Sequence, residues 1–161
     1  MPVTFKNGFY VGMLLALFLG IWLMRLWTAE NQVRLHSEHF LQKIEKRSWS
    51  GAGDFIAADY HDTWGHDRAL VLNRLRMTLG FFSSLTITAV NPEVSAESST
   101  GQWSAKIHLA GSGEMAPAII DRVDRLTAPF SLHWRRESWR PWDWKLVEVR
   151  NPSLELTGGI Y

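Results

Sequence analysis

The chain has 161 residues, with 17 Lys plus Arg against 16 Asp plus Glu, a formal net charge of +1 and no cysteine. That length allows one ordinary domain and a short appendage. Near-neutrality argues against a nucleic-acid partner, which calls for a basic excess, and the lack of cysteine excludes disulfides, thiolate metal sites and cysteine nucleophiles.

From Asn7 to Met24, between Lys6 and Arg25, no residue is charged. At about 1.5 Å per helical residue, such a run nearly covers the roughly 30 Å core of a bilayer. Arg25 can snorkel toward headgroups and Trp27 stands where an interfacial aromatic belongs. Trp27 also spoils the small-residue cleavage site of a signal peptide. The expectation is an N-terminal tail and transmembrane anchor over residues 1–30, touching lipid through residues 8–27, with one domain over residues 31–161. A signal-anchor of this kind places that domain on the extracytoplasmic side.

Beyond the anchor, Val33, Phe40, Leu41 and Ile44 share one face of a 3.6-residue period, which predicts a helix. Gly51 and Gly53 break it. A second short helix is expected from about Gly53 to His61, with Ile56, Tyr60 and Trp64 as its stripe. Asp67 is a fitting N-cap for a third helix with Leu72, Leu75 and Leu79 inward and Arg68, Arg74 and Arg76 toward solvent. From Leu85 the period changes to two: a strand to Val90 ends at Asn91-Pro92, and Glu93–Gly101 reads as a loop. Trp103, Ala105, Ile107 and Leu109 alternate with polar residues as a half-buried strand. Residues 116–127 fit a short helix or a bent strand. Phe130, Leu132 and Trp134 mark the next strand. Trp142–Val149, apolar on both faces, reads as a central strand.

Helices first, then antiparallel strands with Trp-rich closing hairpins, is an order that resembles the NTF2-like (cystatin-like α+β) superfamily. The resemblance rests on Asp59-Tyr60-x-Asp62, on Pro129-Phe130-x-Leu132-x-Trp134 and on the closing run from Trp142 to Val147. It implies an α+β fold in which three helices pack on a curved antiparallel sheet, forming a cone, behind the transmembrane helix. The superfamily includes isomerases, dehydratases, transport factors and membrane-anchored assembly proteins, so the fold alone assigns no activity.

Enzymes on this fold place an acid/base pair inside the cone, and Asp59, Tyr60 and His61 are the candidates, with Asp62, His66 and Asp67 nearby. A carboxylate desolvated beside Tyr60 would be suited to proton transfer; the plainer reading makes Tyr60 core and the acids helix-end residues. His61 with His66, or His36 with His39, forms only a pair where a metal needs three or four convergent ligands, so no metal and no cofactor is expected. His108 and His133 occupy polar alternates of two strands, either as a pH-sensitive contact face or as ordinary surface. Trp139 and Arg140 at the last turn have the residue types of interface hot spots, the other tryptophans nearby being core.

The sequence reads as a membrane-anchored binding or assembly module of the bacterial cell envelope. Its expected partners are the bilayer, an envelope protein and a second copy paired through the outer sheet face bearing Lys106, His108, His133 and Arg135 with Val147 and Val149. The alternative is a small-molecule-binding or isomerase/dehydratase-type cone.

Overall fold

The computed structural model describes residues 5–155. The first four residues of the expected N-terminal tail, and residues 156–161 of the expected domain, lie outside the described residues. Helix α1 (Phe5–Leu26) leads into α2 (Ala29–Glu45), and the short α3 (Trp49–Gly53) and α4 (Arg68–Leu79) follow. Strands β1 (Ser84–Ala96) and β2 (Thr100–Ser112) precede α5 (Ala116–Asp124). Strands β3 (Phe130–Arg136) and β4 (Trp144–Arg150) and the one-turn α6 (Pro152–Glu155) complete the order. The strands form one antiparallel sheet in the order β1-β2-β3-β4.

Among the described residues no helix is long and apolar enough to cross a membrane. The expected transmembrane anchor is corrected on that finding, and so are the lipid contact through residues 8–27, the single-pass membrane placement and the extracytoplasmic side. The apolar side chains of α1 from Phe9 to Leu23 are exposed.

α2 forms as its period demands. Val33, Phe40 and Ile44 are buried on the sheet side, and the helix lies across β1, β2 and β4. The approach is close enough that a Cβ on Gly101 would stand 2.5 Å from Val33 Cγ2, so glycine is required at that point of β2. At one end of the core Trp134 is boxed edge-on by His36, Phe40 and Phe55, with ring centroids 5.8 to 6.4 Å away.

Three local expectations change. The strand from Leu85 does not stop at Asn91-Pro92. Asn91 adopts φ +50°, the register shifts between Val90 and Glu93, and β1 resumes against β2 as far as Ala96. Proline is tolerated there because β1 is an edge strand and the site is a bulge. β4 is also an edge strand, not a central one. Its free edge is covered by the segment after α3: Leu146 N donates to Phe55 O, Ala57 N to Leu146 O and His61 N to Val147 O. That cover explains its apolar residues, and it replaces the helix expected over residues 53–61. Residues 116–124 are helical.

The surface proposed for pairing two copies does not exist as expected. Val149 lines the interior beside Leu132, its register partner. Arg135 is held by Asp59 through two hydrogen bonds of 3.0 and 2.8 Å. His108 is drawn to Asp124 of α5 at 2.8 Å. His133 pairs with Gln102, so six residues of β2, about 20 Å, separate the two histidines. The homodimer and envelope-partner expectations are corrected with it.

Two outcomes follow for stability. Trp144 is buried with its indole N–H donating to Pro141 O at 2.8 Å, whereas Trp139 is 82% exposed. Trp144→Ala should cost about 3–5 kcal/mol and Trp139→Ala almost nothing, as measured by urea unfolding. His36 is half-buried, and burial, more than any other influence, holds its pKa below the ordinary 6.5. The fold therefore prefers the neutral ring. That contribution is complete above about pH 6.5 and is lost as pH falls through the lower folded value. Thermal melts of His36→Phe should fall less between pH 7.5 and pH 5 than those of the natural chain.

Candidate functional site

The helices and the sheet do not close on each other completely. Between them lies a cavity of about 470 Å³. Its floor is the inner sheet face, with Ile87, Trp103, Ile107, Leu109 and Leu132. α2 supplies Phe40, Leu41 and Ile44. One wall is α4, which contributes Val71, Arg74, Leu75, Thr78 and Leu79. These positions follow the i, i+3, i+4, i+7, i+8 pattern of a single helix face. α5 contributes Ile119, Arg122 and Val123, again one face. Arg74, Thr78 and Arg122 are exposed as well as lining, and so mark the mouth.

The one carboxylate in the wall among the described residues is Asp62, 3% exposed. Its Oδ1 accepts from Trp64 N at 3.0 Å and His66 N at 2.8 Å. Its Oδ2 accepts from the Tyr60 hydroxyl at 3.3 Å and from His66 Nδ1 at 3.0 Å. The backbone closes around it: Asp62 N donates to His66 O, and Gly65 N to Asp62 O. Gly65 has φ +78°, a conformation that a side chain would strain. One residue after this loop, Asp67 caps α4 by accepting from Leu70 N at 2.8 Å. Burial first, then the charge of Asp62, pushes the Tyr60 phenol well above its ordinary pKa. It therefore stays protonated and remains the donor.

The three residues expected to form an acid/base pair are separated by the fold. Only Tyr60 reaches the cavity. Asp59 is exposed and faces outward to Arg135, whose guanidinium holds its carboxyl below the usual carboxylate range. His61 is exposed, its backbone tied to β4. Ala58 and Asp59 lie in a turn closed by Tyr60 N donating to Ala57 O at 3.3 Å, and His61 N is tied to Val147 O, so Asp59 and His61 stay at the surface while Tyr60 enters the cavity. The acid/base use of these residues is corrected accordingly. Trp139 and Arg140 are exposed at the β3–β4 turn, and His133 is half-buried between Glu148 and Arg150, burial being the main cause of its lowered pKa. Among the described residues no cluster of three metal-ligating side chains occurs.

The residues that do converge are Tyr60, Asp62 and His66, and the sequence carries a signal for them. An aspartate four residues before a histidine, with glycine between, is the pattern of a loop folded back on its own carboxylate. Arg74 and Arg122 were also missed, because arginine is ordinarily assigned to the solvent face.

Asp62→Ala would leave four donors unmet. It should cost about 2–4 kcal/mol, from hydrogen bonds of about 1.5–3 kcal/mol each to a charged acceptor, partly recovered by water. Asp62→Asn keeps one oxygen for the two backbone donors and should lose roughly half as much by the same reckoning. Urea unfolding of both variants checks the order.

No protein-family model and no curated protein sequence matches the chain. Solved structures do. An NTF2-like superfamily protein from Salmonella enterica serovar Typhimurium superimposes with a TM-score of 0.59 at 16% identity, covering 83% of this chain and 98% of that one. A Kribbella flavida protein gives a TM-score of 0.60 at 10% identity, over 77% and 89%. A putative ketosteroid isomerase from Shewanella frigidimarina gives 0.54 at 12%, over 76% and 93%. At these identities the likeness shows the NTF2-like cone and nothing finer.

Proposed function

We propose that the protein is a binding module for a small, mostly apolar molecule held inside the cone. The cavity carries this reading. Protein interiors are packed like organic crystals, with few voids larger than a water molecule. A space of about 470 Å³ is roughly three times an engineered cavity that accepts benzene, about 150 Å³. It falls within the range of ligand sites, about 300–1,000 Å³. Scaling from benzene, it has room for on the order of fifteen to twenty non-hydrogen atoms.

Binding fits the polar groups better than turnover does. Both oxygens of Asp62 are occupied by protein donors, so it is committed to holding the loop. The Tyr60 proton is committed to Asp62. His66 Nδ1 is bonded to Asp62, which commits that nitrogen to the loop and leaves Nε2 as the ring nitrogen not used in holding it. One polar ring atom in an apolar wall orients a ligand. The isomerase name of one structural relative belongs to that protein, since a shared fold does not carry chemistry with it.

The test is displacement fluorimetry with 1-aminoanthracene, an uncharged aromatic dye that brightens in apolar surroundings. The dye should bind the full chain in detergent-free buffer. Leu75→Trp, which fills the cavity from α4, should weaken binding tenfold or more, a change of about 1.4 kcal/mol. Met77→Trp, on the same helix but exposed and outside the cavity, should bind as the natural chain does. Equal binding by all three proteins would remove the reading.

A further inference from the structure

The two arginines at the mouth occupy positions where their helices would ordinarily present apolar side chains. On α4, Arg74 sits between Val71 and Leu75 in the cavity-facing stripe, while Arg76, outside the stripe, takes no part in the lining. On α5, Arg122 sits between Ile119 and Val123 in the same way. The remaining charges of α5 are engaged elsewhere: Asp121 pairs with Arg125, and Asp124 with His108. Neither Arg74 nor Arg122 has a hydrogen-bond or ion-pair partner among the described residues. Among the described residues the single acid in the cavity wall is Asp62, whose oxygens already accept four hydrogen bonds. The cavity is thus apolar within and has two unpaired cations from two different helices at its opening.

We infer that the ligand is an amphipathic anion, an apolar body of about ten to fifteen non-hydrogen atoms ending in a carboxylate or phosphate that Arg74 and Arg122 receive at the mouth. The inference rests on the reading of the cavity as a binding site and adds the head group to it. The size follows from the volume less the part of the ligand left at the opening. The head group follows from guanidinium chemistry, because its planar fork of donors matches a carboxylate or phosphate in two parallel hydrogen bonds. An uncharged ligand of the same body would leave both guanidinium groups unpaired, so the site should discriminate by charge as well as by shape.

Titration of the full chain with decanoate, decyl phosphate and decan-1-ol, read by 1-aminoanthracene displacement, tests this. At least one anion should bind tenfold or more tighter than the alcohol at low salt. The advantage should shrink in 0.5 M NaCl, where the screening length is about 4–5 Å. Which anion gains more identifies the head group. Arg74→Gln with Arg122→Gln should reduce that advantage to less than threefold while leaving decan-1-ol binding unchanged. Both side chains are exposed and make no hydrogen bond or ion pair among the described residues, so the variant should melt as the natural chain does. Equal affinity for alcohol and anions would overturn the inference and leave the cavity reading intact, as would an anion preference that survives the double substitution. Failure of all three molecules to bind or to displace the dye would overturn both.

Discussion

The Asp62 carboxylate holds the molecule's least regular segment in place, and the site depends on that segment. Between α3 and α4 the chain has no long element of its own. It runs along the edge of β4, turns back at Gly65 and starts α4 at Asp67. Four donors converge on Asp62 inside that turn. They come from Tyr60 on the way in and from Trp64 and His66 on the way out, so the carboxylate ties both arms of the loop together. Burying an unpaired charge would be prohibitive; burying this one fixes where α4 begins. Because α4 is a wall of the cavity, the hydrogen bonds of one aspartate determine the position of a wall whose own packing onto the sheet is slight.

That slight packing is what leaves the interior open. α2 lies directly on β1, β2 and β4 and α5 on β2, but the principal tertiary neighbour of α4 is α3. Its apolar stripe of Val71, Leu75 and Leu79 therefore faces the sheet across a gap. The opposite end of the cone is filled by Trp134 with His36, Phe40 and Phe55. Phe40 belongs to both regions, closing the aromatic box on one side and lining the cavity on the other. The core is thus rigid where aromatic rings interlock and hollow where helices stand apart from the sheet.

What the sequence disclosed followed from periodicity. The buried stripe of α2, the Asp67 cap and the alternation of β2 and β3 can be read from spacing, because a helix repeats near 3.6 and a strand at two whatever surrounds it. The cone itself was legible from the order of elements. The remainder depended on neighbours. Asn91-Pro92 is a strand terminator by composition, yet it becomes a bulge because β2 continues to pair beyond it. The apolar faces of β4 look like those of a central strand until the segment from Phe55 to His61 is found covering its edge. Asp59, Tyr60 and His61 are adjacent in sequence, but the turn at Ala58-Asp59 leaves Asp59 and His61 at the surface and sends only Tyr60 inward, so adjacency did not make a shared site. The uncharged run from residue 7 to 24 has the composition and flanks of a membrane span, but among the described residues no helix is long and apolar enough to cross a membrane.

The molecule treats its polar groups in two ways, and the difference marks where it meets its surroundings. Inside, polar atoms are bound to one another: Tyr60 to Asp62, Asp62 to its loop, Asn151 to Ala128 O at 3.1 Å. The indole N–H groups of Trp103 and Trp134 are buried without a partner, which is tolerable where a bulky ring contributes more by burial than one unmet donor costs, about 1–3 kcal/mol. At the mouth the pattern reverses. Among the described residues Arg74 and Arg122 stand in apolar stripes without partners; α4 carries no acid, and the two acids of α5 pair with His108 and Arg125. A surface evolved only for solubility gains little from placing guanidinium groups on a helix face directed at a cavity. Placed there, they leave the hollow interior to select for apolar volume and the rim to select for charge. Neither requirement conflicts with the hydrogen bonds that keep the walls in place.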